Sequence, residues 1–398
     1  MKFSISSLNF NKFLKRLVSL SSADENSIIS FVLEGNLLEL FYNVKVDNSD
    51  NYSLLHEVMP VENVDSSADS KKRSLNISNL FMIKVPDNSE SCESYPKCSD
   101  IDFNFTKSSL EISFKVFWKL NSKGNVTKLV FPVTDEDEDL DIYSKLFTFS
   151  ELDNITLDVN EFKSSINLCN FIKSDVTSKQ SNGCLLKLLS SKDEEEKDVY
   201  FINTDSNTAI LYKLLSLDSS CSKDYDIVLS PSALNAIKKF LPGDGLVKLY
   251  PDKSNLFLHT NNRSMAVPIM DISYIIDNPV EFFKYQGELV SIFDIKPALT
   301  VTNALISKST HTAKKLCLVF KGDDFSIKSE SDMSSGLPVE VSKDSDILVN
   351  GSFFVTACQR ILNTDIRIKL FFDEELNRLT LVNEEDNLIF LIQGLYNI

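Results

Sequence analysis

Apolar and polar positions along the chain follow two periods, about 2 and about 3.6 residues, and the order in which these periods succeed one another recurs three times. Each round reads as a short strand, an amphipathic helix, paired strands, a second amphipathic helix and three more strands. A recurrence at roughly 120 to 155 residues is too long for a solenoid repeat and fits a whole small domain. The expectation is therefore an α+β protein of three tandem copies of one fold, each with two helices packed on β-sheets, at 1–145, 146–284 and 285–398.

The last copy is the most regular. A strand at 288–292 leads into a helix over 294–306, with Ile295, Leu299 and Ile306 on one face and Lys296, Thr300, Asn303 and Ser307 on the other. Strands at 315–320, 325–329 and 346–349 precede a second helix from Ser352, read as its N-cap, to about residue 363. Strands at 366–371, 379–382 and 388–392 close the unit. The middle copy repeats the order, with helices over 161–172 and from Ser230-Pro231 to Leu241, where Pro242-Gly243 stops the turn. Its strands are placed at 155–159, 184–189, 199–203, 208–214, 247–250, 256–260 and 263–267. In the first copy a strand at 2–5, a helix over 9–19, a hairpin at 28–33 and 37–42, a second helix over 75–85 and strands at 101–105, 110–117 and 128–133 are expected. The serine-rich stretches 65–73 and 86–100 read as loop insertions, and the borders between copies as 135–141 and 278–286.

Composition narrows the function more than the fold. At 398 residues, 43% hydrophobic and 25% charged, the chain can bury several cores. Lys2, Asn9, Asn11, Lys12, Lys15 and Arg16 interrupt every apolar run near the start, so a soluble, cytoplasmic protein with no membrane span is expected. The seven cysteines are scattered, and only Cys92 and Cys98 are close in sequence, at a spacing that fits no common zinc pattern. His56, His259 and His311 fall in different copies, which argues against a shared metal or a catalytic dyad. Ten glycines form neither GxGxxG nor GxxxxGK[ST], so no phosphate-cradling loop is visible. The acidic runs at 135–141 and 193–196 read as solvated loops rather than carboxylates on a rigid element. No catalytic residue, metal or cofactor is expected.

A net charge of −16 disfavours nucleic acid as a partner, yet its distribution reverses the inference. Lys12, Lys15 and Arg16 lie on the polar side of the first helix, opposite Phe10, Phe13, Leu14 and Leu17. Lys163 and Lys173 belong to the first helix of the middle copy or its end, and Lys238 and Lys239 to its second. Lys296, Lys308 and Arg360 hold comparable places in the last copy. Basic helix faces with acidic runs confined to loops would result if helices lined a hole and sheets formed an acidic outer wall.

Several local strings then resemble the bacterial DNA polymerase sliding clamp, the beta subunit of the replicative polymerase. Met1-Lys2-Phe3-Ser4-Ile5 resembles its first strand, and Ser181-Asn182-Gly183-Cys184-Leu185 its Leu-Asn-Gly-x-Leu segment. Phe201-Ile202-Asn203-Thr204-Asp205 resembles the strand ending in Thr-Asp-Gly-His-Arg-Leu, and Ile227-Val228-Leu229-Ser230-Pro231 the strand into the second helix. The end, Leu388-Ile389-Phe390-Leu391-Ile392-Gln393-Gly394-Leu395, is similar to the family's terminal strand and tail. Likeness runs well from about residue 155 and is weaker before it.

The resemblance implies a non-enzymatic, head-to-tail homodimer ring of six domains around double-stranded DNA, held without base readout and serving a DNA polymerase and a clamp loader. The ten cations named above would face DNA. A partner-peptide cleft would take Ser181, Thr204, Asn207, Thr208, Pro268, Leu391, Gln393 and Leu395. Two departures fall in that cleft: Ser206-Asn207-Thr208 replaces Gly-His-Arg, and Gln393-Gly394-Leu395 replaces Met-Pro-Met. The composition is compatible with a low-GC bacteriophage genome. Two alternatives remain beside the clamp, a viral structural or assembly protein of repeated β-rich domains without DNA binding, and a degraded enzyme of nucleic-acid metabolism.

Overall fold

The computed structural model describes residues 1–20, 27–45, 52–65, 72–86, 97–119, 123–133, 147, 149, 152–169, 183–189, 198–204, 208–270, 279–284, 287–308, 314–329 and 332–395. One strand pattern is used three times. In the first copy Lys2–Ile5 pairs with Ile101–Phe105, followed outward by Ser109–Phe117 and Asn125–Pro132, and on its other side with Glu62–Asp65. Ile28–Glu34, Leu37–Lys45 and Tyr52–Pro60 form an antiparallel hairpin sheet, edged by Lys72–Asn76.

The other copies build the same two half-sheets. In the middle copy Ile155–Asp158 meets the closing strands Leu246–Pro251, Asn255–Thr260 and Arg263–Pro268, while Cys184–Leu188, Asp198–Thr204 and Thr208–Leu215 form the hairpin sheet, edged by Tyr225–Leu229. In the last, Glu288–Asp294 meets Arg367–Asp373, Arg378–Asn383 and Leu388–Gln393. Its hairpin sheet is Lys315–Lys321, Asp324–Lys328 and Met333–Leu337, edged by Ser345–Asn350.

Two joints make these half-sheets continuous. The third hairpin strand of the first copy, Tyr52–Pro60, pairs with the last closing strand of the middle copy, Arg263–Pro268, Leu54 lying opposite Ala266. Likewise Thr208–Leu215 pairs with Leu388–Gln393, with Ala209 opposite Leu391. The chain accordingly divides into two compact units, Met1–Asn160 with Ser232–Ile269 and Glu161–Pro231 with Met270–Ile398. Each unit takes one half of the middle copy.

Burial follows the joints. The closing strands Arg263–Pro268 and Leu388–Gln393 are buried on both faces except at their last residues, because a neighbouring sheet extends each of them. Asn125–Pro132, the corresponding strand of the first copy, alternates between exposed and half-buried and buries only Phe131. Met333–Leu337, the third hairpin strand of the last copy, is also an edge, with Met333 at 60% exposure. These two edges are of the two kinds that pair at the joints.

Several expected elements shift. Residue Leu75 is fully buried in the strand Lys72–Asn76, and the second helix of the first copy is only Ile77–Phe81, capped by Asn76 whose Oδ1 accepts from the Ser78 N–H at 2.8 Å. The helix Gly351–Ile361 is capped by Asn350 rather than Ser352, because the Asn350 carboxamide reaches the Ser352 N–H at 2.9 Å. The stretch Glu62–Asp65 is a strand, and the border expected at 278–286 carries the helix Pro279–Lys284. Among the described residues, no helix is long and apolar enough to cross a membrane.

Gly287 enters the strand Glu288–Asp294 at φ +78°, and a Cβ there would lie 2.6 Å from the Phe372 carbonyl and 2.7 Å from the Asp373 nitrogen. Both atoms are backbone and cannot turn away. Gly287→Ala should therefore cost at least about 2 kcal/mol, read as a lowered thermal midpoint; an unchanged midpoint would show that the strand entry can move.

Candidate functional site

In the second compact unit, strand alternation divides the hairpin sheet into two buried faces. Phe201 turns to the helix Val159–Cys169, 5.5 Å from the Phe162 ring. On that side the Asn203 Nδ2 donates to the Cys169 carbonyl at 2.6 Å and holds the helix end to the strand. Tyr200 and Ile202 turn the other way, into an apolar cluster with Leu185, Ala209, Leu211, Val228, Val382, Ile389 and Leu391. Phe283, from the helix Pro279–Lys284, completes this cluster at 1% exposure.

Part of the expected cleft comes together across the joint. Cross-strand register sets Thr204 opposite Ala209 and Ala209 opposite Leu391. The Thr204 Oγ1 donates to the Thr208 carbonyl at 3.0 Å, so its hydroxyl closes the strand turn. Thr208 lies opposite Ile392, on the alternate face from Ala209, and is buried. Gln393 is exposed, and its Nε2 donates to the carbonyls of Leu376 and Asn377 at 3.1 and 3.0 Å. The half-buried Leu395 donates its N–H to Leu348 at 2.9 Å, which carries the chain on to the strand Ser345–Asn350. Pro268 belongs to the other compact unit, opposite Asn255. Ser181 and Asn207 lie outside the described residues.

The helix cations separate into two groups. Lys12, Lys15, Lys238, Lys239 and Lys296 are exposed on the sides of their helices away from the core, and Lys163 is half-buried. Lys308 ends the helix Ile295–Lys308, and Lys173 lies outside the described residues. Arg16 departs from the solvated face expected for it. Its Nη2 pairs with Glu57, a carboxylate at 2% exposure on the strand Tyr52–Pro60. Arg263, opposite Glu57 across the first joint, stacks its guanidinium 5.3 Å from the Phe240 ring. Burial and the Arg263 charge lower the Arg16 pKa to about 10, and burial raises the neighbouring Tyr42 phenol to about 12. Arg360 is also engaged, its Nη1 donating to the Asn167 carbonyl at 2.9 Å in the last turn of Val159–Cys169, where a cation complements the helix dipole.

Paired half-sheets, outward cations on three helices and an apolar cluster beside each joint offer surfaces for binding, and the hydroxyl hydrogen-bonded to an imidazole, Ser264 Oγ at 2.9 Å from His259 Nδ1, is closed off at 2% exposure. Solved structures decide the fold. Over 100% of both chains, the protein superposes on the DNA polymerase beta subunit of Streptococcus pyogenes with a TM-score of 0.72 at 16% identity. The DNA polymerase III subunit beta of Pseudomonas aeruginosa gives 0.72 at 12%, and a putative DNA polymerase III beta subunit of Eubacterium rectale 0.70 at 15%, both at full coverage of both chains. The fold is that of the bacterial sliding clamps. No family model matches the chain, and no curated protein matches it in sequence.

Within this clamp fold, no group of three or more His, Cys, Asp and Glu among the described residues is placed to hold a metal ion. Cys98, Cys169, Cys184, Cys221 and Cys358 are buried free thiols and Cys317 is half-buried; burial pushes the Cys98 thiol up to about 11. Cys92 lies outside the described residues. Sequence reading missed Glu57 and Arg263, since no strand was expected over Tyr52–Pro60 and an arginine after an Asn-Asn turn looks solvated. It also missed the helix Pro279–Lys284, whose Phe282-Phe283 pair was the available signal.

Proposed function

We propose that the chain is a DNA sliding clamp: a processivity factor that encircles duplex DNA as a head-to-tail homodimer, is opened by a clamp loader and tethers a replicative DNA polymerase in the bacterial cytoplasm. One observation carries this reading. A third hairpin strand pairs with a last closing strand at both joints, and among the described residues one strand of each kind, Met333–Leu337 and Asn125–Pro132, is left at a sheet edge. Two copies meeting edge to edge would satisfy both and close a ring of six repeats. The clamp has no reaction of its own, and the tether raises the polymerase's effective concentration at the primer end.

Lysines would hold the DNA through mobile phosphate contacts that carry no base information, so the ring slides. The set is Lys12, Lys15, Lys163, Lys173, Lys238, Lys239, Lys296 and Lys308; Arg16 and Arg360 are committed to the fold by Glu57 and Asn167. The test is retention. Protein assembled on nicked circular DNA should stay bound through a high-salt wash and leave once the circle is cut to give free ends. Equal loss from circle and linear DNA would refute topological holding. Replacing Lys12, Lys238, Lys239 and Lys296 by glutamate should shorten retention at least tenfold and lower the salt dependence of loading, with an unchanged thermal midpoint.

A further inference from the structure

We propose that the helix Pro279–Lys284 occupies the partner cleft in cis, as a lid that a partner must displace. The proposal rests on the clamp reading for the identity of the partner, but its geometry belongs to the second compact unit alone. Phe283 is at 1% exposure inside the cluster that contains Ala209 and Leu391, the facing pair of the second joint. The apolar cluster at the Thr204 end of that joint is thus already filled by an aromatic anchor from the same chain.

The described residues beside the two joints differ in the ring contacts they make. At the first joint, Phe149 stacks on Tyr250 at 4.4 Å and meets Phe257 at 6.0 Å, while Phe147 stacks on His56 at 5.4 Å and meets Phe257 at 6.2 Å. Both residues pack on Leu54 and Ala266, the facing pair there. That segment is a staple of interlocked rings. At the second joint the ring contacts of the helix to the sheet reduce, among the described residues, to Phe282 under the Arg378 guanidinium at 5.1 Å. Phe282 is 39% exposed, and among the described side chains of the helix Phe283 is the buried one and Val280 is half-buried against the same cluster. An anchor of that kind dominates docking energy and can be outcompeted by an equivalent one.

The chain's own segment is the probe. A fluorescein-labelled peptide of residues 278–286 is titrated against the full-length protein and against Phe282→Ala/Phe283→Ala, with fluorescence polarisation as the readout. Binding at least tenfold tighter to the variant is expected, and adding Leu391→Glu should abolish it. Equal affinity for both proteins, or no binding to a folded variant, would make the helix part of the core and overturn the proposal. Should the variant fail to fold, hydrogen exchange on the wild type decides: amides of 279–284 must open well before those of Leu388–Gln393, and exchange of both only through global unfolding would refute the lid. Polymerase stimulation, measured in parallel, reports on the clamp reading separately, because neither readout requires DNA or polymerase.

Discussion

Glu57→Gln should destabilise the protein by about 3–5 kcal/mol, the usual cost of leaving a buried ion without its partner. Glu57 lies at 2% exposure between Arg16, which it pairs, and Arg263, which faces it across the first joint. Both guanidiniums are pulled down by burial, and Arg16 further by Arg263, to about 10. The sign follows from that direction. A base whose folded pKa lies below its unfolded value costs stability wherever it is charged in both states, so at neutral pH both cations press against the fold and the carboxylate offsets them. Glutamine fills the same space without the charge. The deficit of the variant should shrink as pH rises towards about 10, where Arg16 begins to lose its proton in the folded state. Thermal unfolding at pH 7 and near pH 10 measures both effects. Adding Arg16→Met to the variant should recover part of the loss, because the two changes share one interaction. A drop below about 1 kcal/mol in the single variant would mean that water, not Glu57, solvates the arginines.

This cluster marks where sequence reading stops. Periodicity located the longer helices and most strands, since Phe10, Phe13, Leu14 and Leu17, or Leu234 and Ile237, declare a buried stripe by spacing alone. It also placed the hairpin of 28–33 with 37–42, whose strands pair antiparallel. It could not show that Arg16 leaves the solvated face, because a single helix pattern says nothing about a carboxylate on a strand 41 residues away. Short elements were lost for a related reason. Val339–Val341 and Glu62–Asp65 carry too few apolar residues to show a period and exist because they edge a sheet. Of the residues expected in the cleft, Thr204 and Leu391 both face Ala209 across paired strands, while Phe283 was not among those expected, because a short apolar pair in a polar stretch reads as a border. The joints were out of reach altogether, since pairing of Ala209 with Leu391 is a contact between copies and leaves no local trace.

The unpaired edges give the largest expected effect on assembly. Leu129 alternates inward on Asn125–Pro132 and is only half-buried, and Ser334 is similarly placed on Met333–Leu337. A lysine at an inward position of an edge strand desolvates badly against a second strand, a device by which edges are kept from pairing. Leu129→Lys and Ser334→Lys, each alone, should weaken self-association at least ~100-fold, about 2.7 kcal/mol, and sediment as monomers at micromolar concentration. Head-to-tail pairing makes a sharper demand on the mixture. One joint between the two variants joins two unmodified strands, whereas the other sets lysine against lysine. Mixing should therefore restore a dimer at tens of micromolar, weaker than wild type because a second joint no longer closes intramolecularly. That dimer is open, so it should bind DNA yet leave nicked circles as fast as linear fragments. An interface that used the same patch on both protomers would show no recovery on mixing. Variants that each remain dimeric would place the contact away from both edges and remove the ring.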